Sequence, residues 1–131
     1  MALGAKLWLI RPLGFRIDQH NLRRAGLDYW EHLQWQAMPD WESFAQTLDM
    51  QHTWLFSKTA TKNYTDVIYE PGDTLVFGSE SQGLPPSLMK DFPDRVVGIP
   101  IREPVRSLNL SSAVAVAGYE ALRQWRQRKA N

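Results

Sequence analysis

Three segments concentrate the small, hydroxylated and charged side chains that chemistry draws on: Ser57-Lys-Thr-Ala-Thr-Lys62, Gly78-Ser-Glu-Ser-Gln-Gly-Leu-Pro85 and Arg102-Glu-Pro-Val-Arg-Ser-Leu-Asn109. Glycines at 78 and 83 permit positive φ and close backbone approach, so a ligand there would meet main-chain N–H and C=O groups directly. A plain turn uses glycine in the same way, and GSESQG is not the GxGxxG fingerprint of dinucleotide sites. Glu80, a carboxylate in an otherwise neutral loop, either accepts hydrogen bonds from amides and braces the segment or stands as a solvated charge. Asn109 precedes a long stretch of helical periodicity and suits its N-cap. Arg106, Ser107 and the free amides at the same helix start also suit an anionic phosphate or a hydroxyl, so capping and binding are compatible there.

Composition removes several other chemistries. With no cysteine, thiolate nucleophiles, disulfides, iron–sulfur clusters and Cys-based zinc sites are excluded. His20, His32 and His52 lie outside the second and third segments and read as exposed or packing residues. The balance of 15 basic against 14 acidic residues, a net charge of +1, neither suggests nor excludes a nucleic-acid partner, because a local basic face can hide in a neutral total. Apolar runs such as Leu7 to Ile10 and Ala113 to Gly118 are far too short to span a membrane, and the first residues lack a signal-peptide pattern. A cytoplasmic, metal-free protein is expected. A chain of 131 residues, 44% of them hydrophobic, supports one core, so a single domain over 1–131 is expected.

The elements that must position these segments alternate. Lys6 to Ile10, Thr53 to Ser57, Thr74 to Phe77 and Val96 to Ile101 are short apolar runs that read as buried strands. Asp18 to Gly26 reads as a short helix, with an N-cap at its start and a glycine stop. Asp40 to Leu48 sets Trp41, Phe44, Ala45 and Leu48 on one helical face. Pro85 and Pro86 suit the first turn of a helix running to Asp91. Leu110, Val114, Ala117, Ala121 and Trp125 mark an amphipathic helix of about five turns, with Arg123, Arg126, Arg128 and Lys129 near its C-terminal end, where the helix dipole favours cations. Its apolar stripe either cores its own domain or meets a second copy. The class is α/β, a mostly parallel sheet flanked by helices, with function at loops that follow strand C-termini. A nicotinamide-dependent enzyme lacks support, since the glycine fingerprint and its acidic ribose partner are missing.

FGSESQGLP (77–85) followed by IPIREPVRSLNLSSAVAVAGYEALRQW (99–125) resembles, in order and spacing, motifs two and three of the SPOUT superfamily, the SpoU-like knotted methyltransferases. Leu13-Gly-Phe15 and Leu22-Arg-Arg-Ala-Gly-Leu-Asp-Tyr29 further resemble segments of the bacterial tRNA (cytidine/uridine wobble) 2′-O-methyltransferases. The resemblance implies a deep trefoil knot near the C-terminus, S-adenosyl-L-methionine as cofactor, and methylation of the tRNA wobble ribose. Alternatives are an rRNA or other-position tRNA target, or a catalytically silent RNA-binding or dimerisation module that keeps the knot. It assigns cofactor binding to Gly78, Ile99, Ser107 and Phe56, or Ser57 if the register shifts by one. It further implies that Ser107 and Asn109 orient the ribose or its phosphate, that Glu80 braces the site, and that the final helix forms a homodimer. Arg23, Arg24 and Arg106 either contact tRNA phosphates or are solvated surface. The family pattern opens with a further strand, an Asn-Thr-Gly-Asn loop and an arginine-bearing helix. Met1 to Ala5 resembles the end of that helix, which implies a domain truncated at its N-terminus.

Overall fold

The computed structural model describes residues 2–12, 32–105 and 108–131. The chain divides into two compact units, Met1–Thr47 and Leu48–Asn131.

In the first unit, β1 (Leu7–Ile10) runs parallel to β2 (Trp35–Met38), with Leu7 opposite Trp35 and Ile10 opposite Met38. Helix α1 (Trp41–Ala45) follows, and the Asp40 carboxylate caps it by accepting from the Ser43 amide at 2.7 Å. Hydrogen bonding from the Ser43 side chain, and then from this amide, holds the Asp40 carboxyl below its ordinary pKa. The helix is shorter than its periodicity suggests, because the Thr47 amide and hydroxyl both turn back to the Phe44 carbonyl, at 2.9 and 2.7 Å. Phe44 is buried, with ring centroids 5.2 Å from Trp8 and 5.9 Å from Trp41. Strand β2 was not expected, and the helix expected over Asp18 to Gly26 lies outside the described residues.

The second unit holds a three-stranded, all-parallel sheet in the order β4–β3–β5, formed by β3 (Thr53–Phe56), β4 (Thr74–Phe77) and β5 (Val96–Val97). The central strand, β3, is buried at every residue: Trp54, Leu55 and Phe56 are apolar, and the Thr53 hydroxyl is satisfied by donating to the Asp49 carbonyl at 2.7 Å. Strand β5 stops well before Ile101 for a local reason. At Gly98 the backbone changes partner: its amide donates to the Lys62 carbonyl and its carbonyl accepts from the Tyr64 amide, both at 2.9 Å. Helix α2 (Pro86–Asp91) carries proline in its first turn, where a missing N–H costs nothing.

Helix α3 (Leu110–Ala130) closes the core. Asn109 caps it by accepting from the Ser111 amide at 2.9 Å. Ala117 and Ala121 are buried, and these small side chains join Trp54, Phe56, Val67, Tyr69 and Val97 in one cluster. The stripe expected on this helix divides. Trp125 packs on the core, whereas Val114 is exposed, as are Val116 and Tyr119. The helix is also docked by polar groups. Trp125 Nε1 donates to the Tyr69 carbonyl at 3.0 Å, and Arg128 donates to the same oxygen. Glu120, 9% exposed, accepts from Nε and Nη2 of Arg123, at 2.7 and 2.8 Å, and from Gln124.

Candidate functional site

Because β3 lies between β4 and β5, the chain crosses from one side of β3 to the other, and the loops leaving β3 and β5 flank a crevice at the strands' C-terminal ends. Open parallel sheets bind ligands at such switch points. A cavity of about 740 Å³ occupies this place, walled by 58–63 after β3 and by 98–101 and 103–105 after β5. The first wall is shaped by hydroxyls: Ser57 Oγ lies 2.8 Å from Thr59 Oγ1 and accepts from the Thr59 amide at 3.2 Å. Lys62 is tied back, donating to the Asp94 carbonyl at 3.2 Å. The second wall approaches only because residue 98 is glycine. A Cβ there would lie 2.8 Å from the Ser57 carbonyl oxygen and 3.2 Å from the Ala60 Cβ. Ile99 supplies an apolar patch and also packs on the core.

The loop after β4 closes on itself. The Gly83 amide donates to the Ser79 carbonyl at 2.9 Å and the Gln82 amide to Ser79 Oγ at 3.1 Å. Gly83 has φ +69, the conformation expected of it, but Gly78 does not have positive φ. Gly78 is required for another reason: a Cβ there would fall on the backbone of Gly83 and Leu84. The glycine makes room for its own loop. Leu84 anchors the loop by burial. Glu80 is exposed and makes no hydrogen bond or ion pair among the described residues.

Of the residues singled out in the sequence, Ile99 lines the cavity. Phe56 ends β3 and is buried, its ring stacked on Phe77 with centroids 4.7 Å apart. Gly78 and Glu80 belong to the loop after β4, and Asn109 to the start of α3. Arg23, Arg24, Arg106 and Ser107 lie outside the described residues. Lys58, Thr59, Lys62 and Gly98 line the cavity without having been assigned to it. The segment after β3 stood out by composition. The signal for Gly98 was a lone glycine interrupting a β-branched run, a common mark of close backbone approach.

Among the described residues the strongest electrostatic perturbation is structural. Burial, reinforced by the charge of Glu120, pushes the Tyr69 phenol above its ordinary pKa, so it stays protonated and donates to the Tyr64 carbonyl at 2.6 Å. His52 Nδ1 meets Asp73 at 3.1 Å, and Asp73 also accepts from Trp54 Nε1 and the Glu70 amide. Among the described residues no group of three or more His, Asp or Glu is placed to hold a metal ion, and no helix is long and apolar enough to cross a membrane.

The sequence profile of the SpoU rRNA Methylase family matches residues 1–119. The tRNA (cytidine(34)-2'-O)-methyltransferase of Burkholderia pseudomallei (strain 1106a) is 45% identical over 124 residues, spanning 92% of this chain and 80% of that protein. A solved structure described as giving structural insights into the 2-OH methylation of C/U34 on tRNA superposes with a TM-score of 0.87 at 42% identity, covering 96% of this chain and 82% of the other. The SpoU methyltransferase AviRb from Streptomyces viridochromogenes, in complex with the cofactor AdoMet, shares the fold, with a TM-score of 0.74 at 22% identity over 99% of this chain and 53% of the other.

Proposed function

The chain belongs to the SpoU rRNA methylase family, and from that premise we propose that it uses S-adenosylmethionine to methylate the ribose 2′-hydroxyl of the wobble cytidine or uridine of tRNA. The observation that carries this reading is the identity to a tRNA (cytidine(34)-2'-O)-methyltransferase along nearly the whole chain. That relationship favours a tRNA substrate over rRNA.

The crevice suits the cofactor. Its volume, about 740 Å³, falls in the range of small-molecule sites, and Gly98 brings main-chain groups of both loops to its walls. Ile99 offers an apolar face to an adenine, and Phe56, Gly78 and Ser107 complete the proposed cofactor set. When bound, S-adenosylmethionine supplies a sulfonium-activated methyl group. The protein's part is to hold the ribose hydroxyl in line with it, since positioning converts an encounter into an intramolecular step. Asn109 suits that task. Its Oδ1 is engaged by the Ser111 amide and hydroxyl, at 2.9 and 2.6 Å, which fixes the amide and leaves Nδ2 to donate to the ribose or its phosphate. As an amide it orients the hydroxyl and does not deprotonate it. Ser107 shares the orienting role, Glu80 braces the loop around the bound cofactor, and Arg23, Arg24 and Arg106 contact tRNA phosphates.

The same reading places the knot near the C-terminus, treats 1–131 as one methyltransferase domain working in the cytoplasm, and pairs two copies through α3. Exposed Val114, Val116 and Tyr119 support the pairing, because a lone helix gains nothing by presenting them to water. The test is to incubate the protein with unmodified tRNA and S-adenosylmethionine bearing a labelled methyl group, then digest the RNA to nucleosides. The expected product is 2′-O-methylcytidine or 2′-O-methyluridine from the wobble position. Label on a base, or on rRNA alone, would overturn the reading.

A further inference from the structure

Helix α3 changes character along its outward face. Through Tyr119 that face is apolar, with Val116 and Tyr119 at 40% and 53% exposure. Beyond it the exposed positions include Arg123, Arg126 and Lys129, spaced three residues apart, with Gln127 beside them accepting from Arg123 at 2.7 Å. Side chains at this spacing are neighbours on a helix surface. The cations of this helix end divide by role. Arg128 is engaged, donating to the Tyr69 carbonyl and lying 3.6 Å from Glu70, and Arg123 is partly neutralised by Glu120. Arg126 and Lys129 make no hydrogen bond or ion pair among the described residues. From Leu110 to Ala130 the only acidic residue is Glu120, so the segment Arg123 to Ala130 carries four basic side chains and no acidic one, in a chain whose net charge is +1. The helix dipole accounts for cations in the last turn but does not require Arg126 and Lys129 to share one exposed face.

We propose that the outward face of the last turns of α3, through Arg126 and Lys129 with Arg123 beside them, is a docking surface for the phosphodiester backbone of the RNA substrate, separate from the crevice. The inference rests on the RNA-methylation reading for the identity of the partner. Charge complementarity selects the occupant: the guanidinium of Arg126 and the ammonium of Lys129, neighbours on one exposed face, suit the phosphates of a backbone, and contacts of this kind fix register without reading sequence. Arg126 and Lys129 therefore act on affinity for RNA and not on methyl transfer.

The experiment measures tRNA binding against salt concentration for the unaltered protein, the double variant Arg126→Ala/Lys129→Ala, and the double variant Arg126→Lys/Lys129→Arg. Loss of two phosphate contacts is expected to lower the slope of log K against log salt by about 1.4 to 1.8 and to weaken binding roughly tenfold at moderate salt. KM for tRNA should rise, with kcat, cofactor affinity and melting temperature unchanged. The charge-keeping variant should retain the original slope. An unchanged slope and affinity in the alanine variant, or an equal loss in the charge-keeping one, overturns the proposal. If the unaltered protein binds tRNA with this charge-dependent slope yet methylates none, the wobble-methylation reading falls and the surface stands.

Discussion

Gln124 holds Tyr69 by its backbone: the Tyr69 amide donates to Gln124 Oε1 at 2.9 Å, while Gln124 Nε2 donates to the Val67 carbonyl at 2.9 Å. One helix side chain thus satisfies a donor and an acceptor of an irregular segment that no strand pairs among the described residues, and fixes α3 over the core. Replacing it with leucine keeps the volume and leaves both main-chain groups unpartnered. Urea unfolding of Gln124→Leu should show a loss of about 2 to 4 kcal/mol, one desolvation penalty for each orphaned group. A loss below about 0.5 kcal/mol would show that water takes over both bonds.

Stability should decline in acid through Glu120. Hydrogen bonding from Arg123 holds its carboxyl below the ordinary value of 4.5, against a smaller opposing effect of burial. Because the folded value is the lower one, this contribution is complete above the ordinary value and is lost as pH falls through the lowered one. Glu120→Gln should therefore cost stability at pH 7 and narrow the gap to the unaltered protein as pH drops below 4.5. Denaturant melts at pH 7 and at acid pH decide the matter, and a constant gap would exclude the linkage.

Gly78→Ala should destabilise the protein by about 1 to 3 kcal/mol even without ligand, since the added carbon meets the Gly83 and Leu84 backbone and the loop must move. Thermal unfolding of the cofactor-free variant tests this. An unchanged melting temperature together with lost cofactor binding would instead place the glycine's role at the ligand.

Asn109→Ala and Asn109→Asp separate capping from chemistry. Alanine removes the acceptor used by the Ser111 amide and should cost about 1 kcal/mol, whereas aspartate keeps that acceptor and the fold. Aspartate has no amide donor, so turnover at saturating cofactor should fall in both variants. Full turnover in Asn109→Asp would remove the orienting role.

How much of this was legible in the sequence depended on whether the signal was local. Pro85–Pro86 and Asn109 marked helix starts that the structure bears out, because a ring without an N–H and a short polar side chain act within one turn. Strand β2 was hidden, since Trp35-Gln-Ala-Met38 has no β-branched residue and gains its partner from β1, far away in sequence. Strand β5 read too long, because Val96 to Ile101 is apolar throughout and only the hydrogen bonds of Gly98 to Lys62 and Tyr64 reveal where it leaves the sheet. The α3 stripe looked uniform, yet Val114 and Trp125 meet different surroundings, which periodicity does not encode. The cavity was the least legible part: its walls come from two loops joined by the sheet order and a glycine, and neither loop carries a ligand signature alone.

The order β4–β3–β5 also governs when the protein can become itself on the ribosome. The central strand is made first, and its free side finds a partner only when Val96 and Val97 have emerged. Until then the nascent chain presents Thr53–Phe56 with one edge open, a template for wrong pairing with another growing chain. Closing that edge joins segments distant in sequence, which slows folding relative to a helical protein of similar size. A pause in translation before Val96 should prolong the vulnerable state, and one after it should not.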